Sequence, residues 1–244
     1  MESRIIFKPI HLLFIIVVVT AFECSSQVAD FYLQGNLVSG ISSSKSLNSI
    51  VDLYNETNVS FIAKEMNHPK FALGYDVQFD ARIGNLFTAV GFTAVKSSAS
   101  SRFPNETERH LDMRTKYTSA YIGYATGQEN ELAIYSGINM SNTFVNSYVQ
   151  YPNGDKDHVY GQLGGTYKSV GIGVPIVVHY AKSFRNRFQL LFKMQMFVLR
   201  ATKFTYVNNT RITGVSSSSL LYQGTEAIDD NRSFLLSVGL RYKF

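Results

Sequence analysis

The sequence lacks several residue types on which common classes of protein depend. Among its 244 residues there is one cysteine, Cys24, and there is no tryptophan. If the chain is cleaved after Ser26, the mature protein has no cysteine and therefore no disulfide or thiol chemistry. Charged residues make up only 17% of the chain, yet a hydrophobic content of 45% excludes wholesale disorder.

Long apolar runs and compact basic clusters are also missing. Beyond the N-terminal region no apolar run reaches about 18 residues, so we expect no segment to cross a membrane as a helix. The formal net charge is +5, but the basic residues are scattered, which argues against a nucleic-acid partner. No HExxH, EF-hand, P-loop or nucleophile-elbow pattern occurs. We therefore predict no enzymatic activity, no cofactor and no metal site.

The N-terminal region has the layout of a secretory signal peptide. A short basic region precedes an unbroken apolar run from Leu12 to Val19. Cys24 and Ser26 are the small residues expected just before a cleavage site, so we predict that residues 1–26 are removed after Ser26. Cleavage after Ala21 and attachment of a lipid to Cys24 are the alternatives.

Alternation of apolar and polar side chains dominates the rest of the chain. In the last stretch every second residue from Phe234 to Phe244 is apolar, and the residues between them are mostly polar. Successive side chains of a strand point to opposite faces, so this period of two predicts a strand. The same pattern predicts eight strands in all, at residues 27–41, 70–81, 85–96, 109–125, 131–140, 160–180, 187–203 and 233–244.

The connections between these strands alternate between long polar segments and short turns. The long segments are predicted as loops at residues 42–69, 97–108, 141–159 and 204–232. In an up-and-down barrel, all short turns lie at one rim and all long loops at the other. The pattern therefore predicts an all-β fold, an eight-stranded antiparallel up-and-down transmembrane β-barrel formed by residues 27–244. Val59–Ala63 and a hairpin within 204–215 are predicted as short extensions of the barrel.

The prolines agree with this assignment. Pro69, Pro104 and Pro152 lie in predicted long loops, where no hydrogen bond of a strand ladder is lost. Pro175 lies inside the sixth strand, where it cannot donate to the ladder. We therefore predict a bulge or a locally unpaired position at Pro175.

A signal peptide, eight alternating strands and a last strand ending LRYKF resemble the small outer-membrane β-barrel proteins of Gram-negative bacteria. The segment from Ser169 to Lys182 resembles the outer membrane protein β-barrel family that includes PorT-like proteins. The resemblance implies an outer-membrane location with both termini in the periplasm. It also implies contact with outer-membrane lipid and lipopolysaccharide, and recognition by the barrel-assembly machinery of a signal at Leu240, Tyr242 and Phe244.

Charged residues of both signs are predicted to face the barrel interior. They are Asp76, Asp80, Asp112, Arg114, Lys116, Lys193 and Arg241. The interior of an eight-stranded barrel is only wide enough to be filled by side chains. We therefore expect these charges to neutralise each other, and a narrow ion path lined by them is the alternative.

The predicted function is a structural, porin-like or interaction role without catalysis. A component of a protein-secretion apparatus is the alternative that the PorT-like resemblance implies. A third hypothesis is a lipid-modifying enzyme, which would use His110 or His158 with a serine such as Ser141. Metal binding by His68, His110 and His158 has no support from their spacing.

Overall fold

The structure is a computed structural model, which describes residues 29–158, 164–200, 202–206, 220–222 and 225–244. The signal peptide predicted for residues 1–26, with its cleavage site at Ser26, lies outside the described residues. Most of the hairpin predicted within 204–215 also lies outside them, although Thr205–Tyr206 forms a short strand that pairs with Tyr167–Lys168.

Eight long antiparallel strands close into a barrel. They are β1 (Asp30–Ser43), β2 (Phe71–Ile83), β3 (Leu86–Arg102), β4 (Glu108–Thr126), β5 (Asn130–Gln150), β6 (Gly165–Arg185), β7 (Phe188–Leu199) and β8 (Arg232–Lys243). Each strand pairs with its neighbour in the chain, and β1 also pairs with β8, which leaves these strands without a free edge. The predicted fold, an eight-stranded antiparallel up-and-down barrel, is confirmed.

The alternation along β8 separates an outer from an inner face, as predicted. Leu236, Val238 and Leu240 are 51, 50 and 52% exposed on the outer face, whereas Ser237 and Arg241 are buried on the inner one. Exposed apolar side chains of the other strands continue this surface around the barrel. We call the whole surface the apolar belt; it includes Leu33, Leu37, Tyr75, Val77, Leu86, Ile122, Ile134, Ile138, Ile172, Val174, Phe192 and Met194.

The strand β4 faces the opposite way from the prediction at its outer half. Leu111 and Met113 there point into the barrel, where they are buried, as do Tyr117 and Tyr121 further along the strand. Asp112, Arg114 and Lys116 consequently lie on the outer face, so their predicted place in the interior is wrong. The physical reason is that this half of β4 extends beyond the apolar belt. There the interior holds an apolar cluster and the polar face turns outward.

A helix, α1 (Lys45–Asn58), occupies part of the segment that was predicted as a loop at 42–69. Leu47, Ile50, Val51 and Tyr54 follow the spacing of one helical face and are buried. Ser44 caps the helix, because its Oγ accepts a hydrogen bond of 3.1 Å from the backbone nitrogen of Leu47. Within the described parts of the chain, no helix combines the length and the apolar character needed to cross a membrane.

The chain after α1 also departs from the prediction. The segment from Val59 to Ala63 is a turn and a bend that follow the helix, not a short strand. Two predicted loops are largely strand instead, because β3 continues to Arg102 and β5 continues to Gln150. Outside the apolar belt the outer face of a strand meets water and does not have to be apolar. A strand there needs no alternating pattern. The polar composition of these segments therefore concealed their pairing.

The ladder between β5 and β6 is interrupted at Pro175. Val174 and Pro175 have no partners on β5, whereas Pro175 does pair with Phe197 on β7. The register is the same on both sides of the interruption, which confirms a locally unpaired position and shows that the break is not a bulge. The hydroxyl of Ser136 donates a hydrogen bond of 2.7 Å to the carbonyl oxygen of Pro175. The other described prolines lie in connections, as predicted: Pro69, Pro104 and Pro152.

Candidate functional site

The barrel interior is filled by successive layers of side chains. We call the rim with the turns at residues 84–85, 127–129 and 186–187 the short-turn end, and the opposite rim the long-loop end. From the short-turn end these layers are a charged network, a layer of aromatic and aliphatic side chains, and the helix α1 with its contacts.

Arg241 is the centre of the charged network. Its Nε donates to Oδ2 of Asp80 at 3.0 Å, and its Nη1 donates to Oε1 of Glu131 at 2.6 Å. The guanidinium group also stacks on the ring of Tyr32, at 3.6 Å from the ring centroid. Arg241 is fully buried, so these partners replace the water that the charge would otherwise need.

Glu131 connects Arg241 to two further groups. Its Oε2 accepts a hydrogen bond of 2.7 Å from Nη1 of Arg82, and its Oε1 lies 2.8 Å from Nε2 of His179. Arg82 in turn donates to the carbonyl oxygens of Gly84 and Gly127, which belong to two of the short turns. The network therefore ties the interior to the turns at its own end of the barrel.

A second part of the network lies nearer the middle of the barrel. Lys193 donates a short hydrogen bond to Oδ2 of Asp76. The same carboxylate accepts hydrogen bonds of 2.6 Å from Nδ2 of Asn36 and 2.7 Å from Oγ1 of Thr93. With histidine counted as neutral, three carboxylates and three cations balance in the two parts of the network: Asp76, Asp80, Glu131, Arg82, Lys193 and Arg241.

An aromatic and aliphatic layer follows the network. The rings of Tyr117 and Phe197 stack with centroids 4.1 Å apart and planes inclined by 4°. The hydroxyl of Tyr117 forms a hydrogen bond of 2.8 Å with Oγ of Ser233. Val38 and Leu235 are buried in the same cluster. This layer separates the charged network from the long-loop end.

The helix α1 covers the interior at the long-loop end. Its apolar face packs into one cluster with inner-face residues of β3, β4, β5 and β6 and with residues of the last long connection: Ala99, Leu111, Met113, Val145, Tyr167, Phe204, Leu220, Tyr222 and Ala227. Polar contacts hold both ends of the helix. Ser44 donates a 2.5 Å hydrogen bond to Asp230, and Nδ2 of Asn58 donates one of 2.9 Å to the hydroxyl of Tyr222.

Asp229 is a buried carboxyl group beside this cap. It is 1% exposed, and no lysine, arginine or histidine among the described residues pairs with it. Burial raises the pKa of Asp229, and the hydroxyl groups of Thr143 and Ser169 offset part of this effect. Asp229 lies in the strand Ile228–Asp229, which pairs with Thr202–Lys203 at the long-loop end.

A polar recess of about 170 Å³ opens at the short-turn end. Its walls include Tyr32, Arg82 and Gln189, which also contact the charged network. The recess therefore ends at the network and does not continue through the barrel along that path.

Four of the seven charges predicted to face the interior are there: Asp76, Asp80, Lys193 and Arg241. Glu131, Arg82 and His179 were not predicted, although each lies on the inner face of its strand. For His179 the alternation of Val178 and Tyr180 was an available signal. For Glu131 the signal from alternation was weak, because the residue lies at the beginning of a strand, where the sequence does not define the boundary.

The histidines do not assemble the sites that the sequence left as alternatives. His110 lies on the outer face of β4, where it is 3.1 Å from Glu108 and stacks on Tyr148, whereas Ser141 is buried on the inner face of β5. His68 contacts Asp52 at 2.7 Å, and no group of three or more His, Cys, Asp or Glu residues in the described ranges is placed to hold a metal ion. The pair of His110 and Ser141 is therefore not formed.

The sequence matches no protein-family model and no curated protein sequence. The structure is similar to that of the outer membrane protein OprG from Pseudomonas aeruginosa, with a TM-score of 0.51 and 8% identity over 89% of this chain and 97% of that one. It is also similar to a major outer membrane protein from Thermus thermophilus, with a TM-score of 0.50 and 13% identity over 89% of this chain and 100% of that one. The outer membrane protease OmpT from Escherichia coli matches with a TM-score of 0.43 and 12% identity over 88% of this chain and 96% of that one.

These likenesses define the fold of the chain, a small closed β-barrel of the kind that outer membrane proteins adopt. No family model supports the resemblance to PorT-like proteins, which stays a prediction.

Proposed function

We propose that this protein is an integral outer-membrane β-barrel that serves as a closed scaffold and presents its long-loop end to partners outside the cell. The observation that carries the closed character is the filled interior. The charged network around Arg241 and Lys193 fills one half together with a buried apolar cluster that includes Phe87 and Tyr135. Tyr117 and Phe197 fill the next layer, and α1 covers the long-loop end. Because the interior is filled, the outer surface and the loops are the parts of the barrel available for function, in contrast to an open porin.

The apolar belt supports the membrane location. Contiguous exposed apolar patches larger than a few hundred Å² are rare on soluble monomers. Here such side chains surround the barrel, and on β8 they occupy every outer position from Phe234 to Leu240. A closed barrel satisfies its backbone hydrogen bonds internally, as a structure surrounded by lipid must.

The orientation follows from the two ends of the barrel. The beginning of β1 and the end of β8 lie at the short-turn end, where the backbone nitrogen of Lys243 donates a hydrogen bond of 2.8 Å to the carbonyl oxygen of Arg187 in the turn at residues 186–187. Barrels of this type keep short turns in the periplasm and longer loops outside. We therefore propose that both termini lie in the periplasm. Recognition of Leu240, Tyr242 and Phe244 by the barrel-assembly machinery stays a prediction.

Three measurements test this proposal. The folded protein should require detergent for extraction and should migrate faster on an electrophoresis gel before heating than after it, as compact membrane barrels do. In planar bilayers, the wild-type protein should give no steady current steps. A variant in which Arg241 and Lys193 are both replaced by serine, which shortens two side chains that fill the interior, should give steps more often. Steady steps from the wild type would contradict a closed scaffold, and extraction without detergent would contradict the membrane location.

A further inference from the structure

The first outward-facing charges beyond the apolar belt have one sign. When each strand is followed from the short-turn end past the belt, the first charged outer residue beyond the belt is basic wherever one occurs in or directly after the strand. These residues are Lys96 on β3, Lys116 on β4, Lys168 on β6, Arg200 after β7 and Arg232 on β8. A cation as the first outer charge beyond the belt on five strands is more regular than a scatter of solvated charges would be.

Three cations are concentrated on β3 and β4. Lys96 lies directly opposite Arg114, and Lys116 lies opposite Ala94, so that the three side chains are neighbours on the outer face. Directly opposed residues of antiparallel strands have Cβ atoms about 4.5–5.5 Å apart, and like charges there destabilise the pair. We call Lys96, Arg114 and Lys116 the basic cluster.

The basic cluster is only partly neutralised. Asp112 contacts Lys96, with Oδ2 and Nζ 3.1 Å apart. No carboxylate in the described ranges forms an ion pair with Arg114 or Lys116, and both side chains are exposed. The four residues together have a net charge of +2, from three cations and one carboxylate. An anion bound between the strands would relieve this repulsion.

The height of the cluster fits the edge of a membrane. Lys96 follows Leu86, the first residue of β3, by ten positions (96 − 86 = 10). At about 3.4 Å per residue and a strand tilt of about 40°, this separation corresponds to about 26 Å along the barrel axis, close to the apolar band of about 25 Å in such barrels. The cluster therefore lies where the headgroups of the outer leaflet begin, with Phe92 and Ile122 of the same strands on the lipid side of it.

We propose that Lys96, Arg114 and Lys116 bind the phosphate groups of a glycolipid in the outer leaflet, such as the diphosphorylated headgroup of lipopolysaccharide. The planar donors of Arg114 suit two phosphate oxygens at once, and the lysines add compact charges beside it. The acyl chains of the same lipid would lie along the apolar outer faces of β3 and β4. This inference rests on the proposed membrane location, because only that location places such a lipid beside the cluster.

The test uses the full chain, purified in a neutral detergent and titrated with diphosphorylated lipid A. Its unfolding temperature, followed by the heat-dependent change in gel migration, should rise with lipid concentration. In the Arg114→Gln/Lys116→Gln variant, the apparent Kd should weaken roughly 30-fold, which corresponds to about 2 kcal/mol for two basic residues at an anionic surface. The matched control is Lys182→Gln/Arg187→Gln, which removes two exposed cations at the short-turn end and should bind as the wild type does.

Two further probes separate the sources of phosphate. Lipid A without phosphates should stabilise the protein far less, and inorganic phosphate at the same concentration should have no effect. Equal stabilisation by dephosphorylated lipid, equal binding by the Arg114 and Lys116 variant, or an equal response to inorganic phosphate would overturn the proposal. A failure of the membrane location is distinguishable, because the protein would then stay soluble without detergent and show no heat-dependent migration before any lipid is added.

Discussion

Arg241 on β8 and Glu131 on β5 meet across the barrel, with Nη1 and Oε1 2.6 Å apart, although the two strands are not neighbours in the sheet. The same guanidinium group contacts Asp80 on β2. One buried cation thus joins three strands that the backbone ladders do not connect directly. The charged network therefore links opposite walls of the barrel and also fills part of its interior.

Replacement of Arg241 by alanine should destabilise the barrel strongly. The change leaves Asp80 and Glu131 with less positive charge in a buried site, and breaking such a pair costs about 3–5 kcal/mol. Urea unfolding in lipid vesicles measures the loss. The matched control is Lys243→Ala, two positions further along β8, which removes an ion pair of 2.8 Å with Asp30. Both of those side chains are more than one third exposed, so the control should lose less than about 1 kcal/mol. Equal losses would contradict the central role of Arg241.

The layer of Tyr117 and Phe197 should behave as a packed core. Phe197→Ala should cost about 3–5 kcal/mol, because it leaves a cavity beside the ring of Tyr117. Tyr117→Phe keeps the stacked ring and removes the hydrogen bonds of its hydroxyl, at 2.8 Å with Ser233 and 3.3 Å from Nδ2 of Asn231, so it should cost about 1 kcal/mol. The same unfolding measurement compares the two variants. A smaller loss for Phe197→Ala than for Tyr117→Phe would show that the rings are not packed in this way.

The sequence predicted the strands best where they cross the apolar belt. On β8 and β2, one face meets the exterior and the other meets the filled interior, so the side chains alternate and the inner positions of Arg241 and Asp76 follow directly. Beyond the belt this rule stops. Leu111 and Met113 on β4 are apolar because they contact α1, and that contact cannot be read from β4 alone. The helix itself was concealed by its serine and asparagine content, although Leu47, Ile50, Val51 and Tyr54 carried the helical spacing.

Loss of the helix cap should loosen the cover at the long-loop end without unfolding the barrel. In Ser44→Ala, the backbone nitrogen of Leu47 loses its acceptor and Asp230 loses a donor, so the helix should lose about 1 kcal/mol of local stability. Hydrogen exchange of the amides of α1 should accelerate, while exchange in β1 and β8 stays unchanged. The control is Ser49→Ala, whose exposed hydroxyl donates to the carbonyl oxygen of Lys45. Acceleration as large in Ser49→Ala would show that the cap is not the cause.

The stability of the same cover should depend on pH through Asp229. Because burial raises the pKa of this carboxyl, the folded state retains the proton to a higher pH than the unfolded chain, for which the ordinary value is 3.8. Between the ordinary and the raised pKa the folded state binds more protons, so the stability of the cover falls as pH rises through that window, and it stays lower above it. Below the ordinary pKa both states are protonated and Asp229 contributes no pH dependence.

Asp229→Asn should remove this pH dependence, since the amide has no proton to release. Amide exchange of residues 227–229, corrected for the intrinsic effect of pH and measured from about pH 3 to 7, should show a decreasing protection in the wild type and a flat one in the variant. The control Asp155→Asn changes an exposed carboxylate in the turn after β5 and should keep the wild-type slope. A slope that persists in Asp229→Asn would assign the pH dependence to another group.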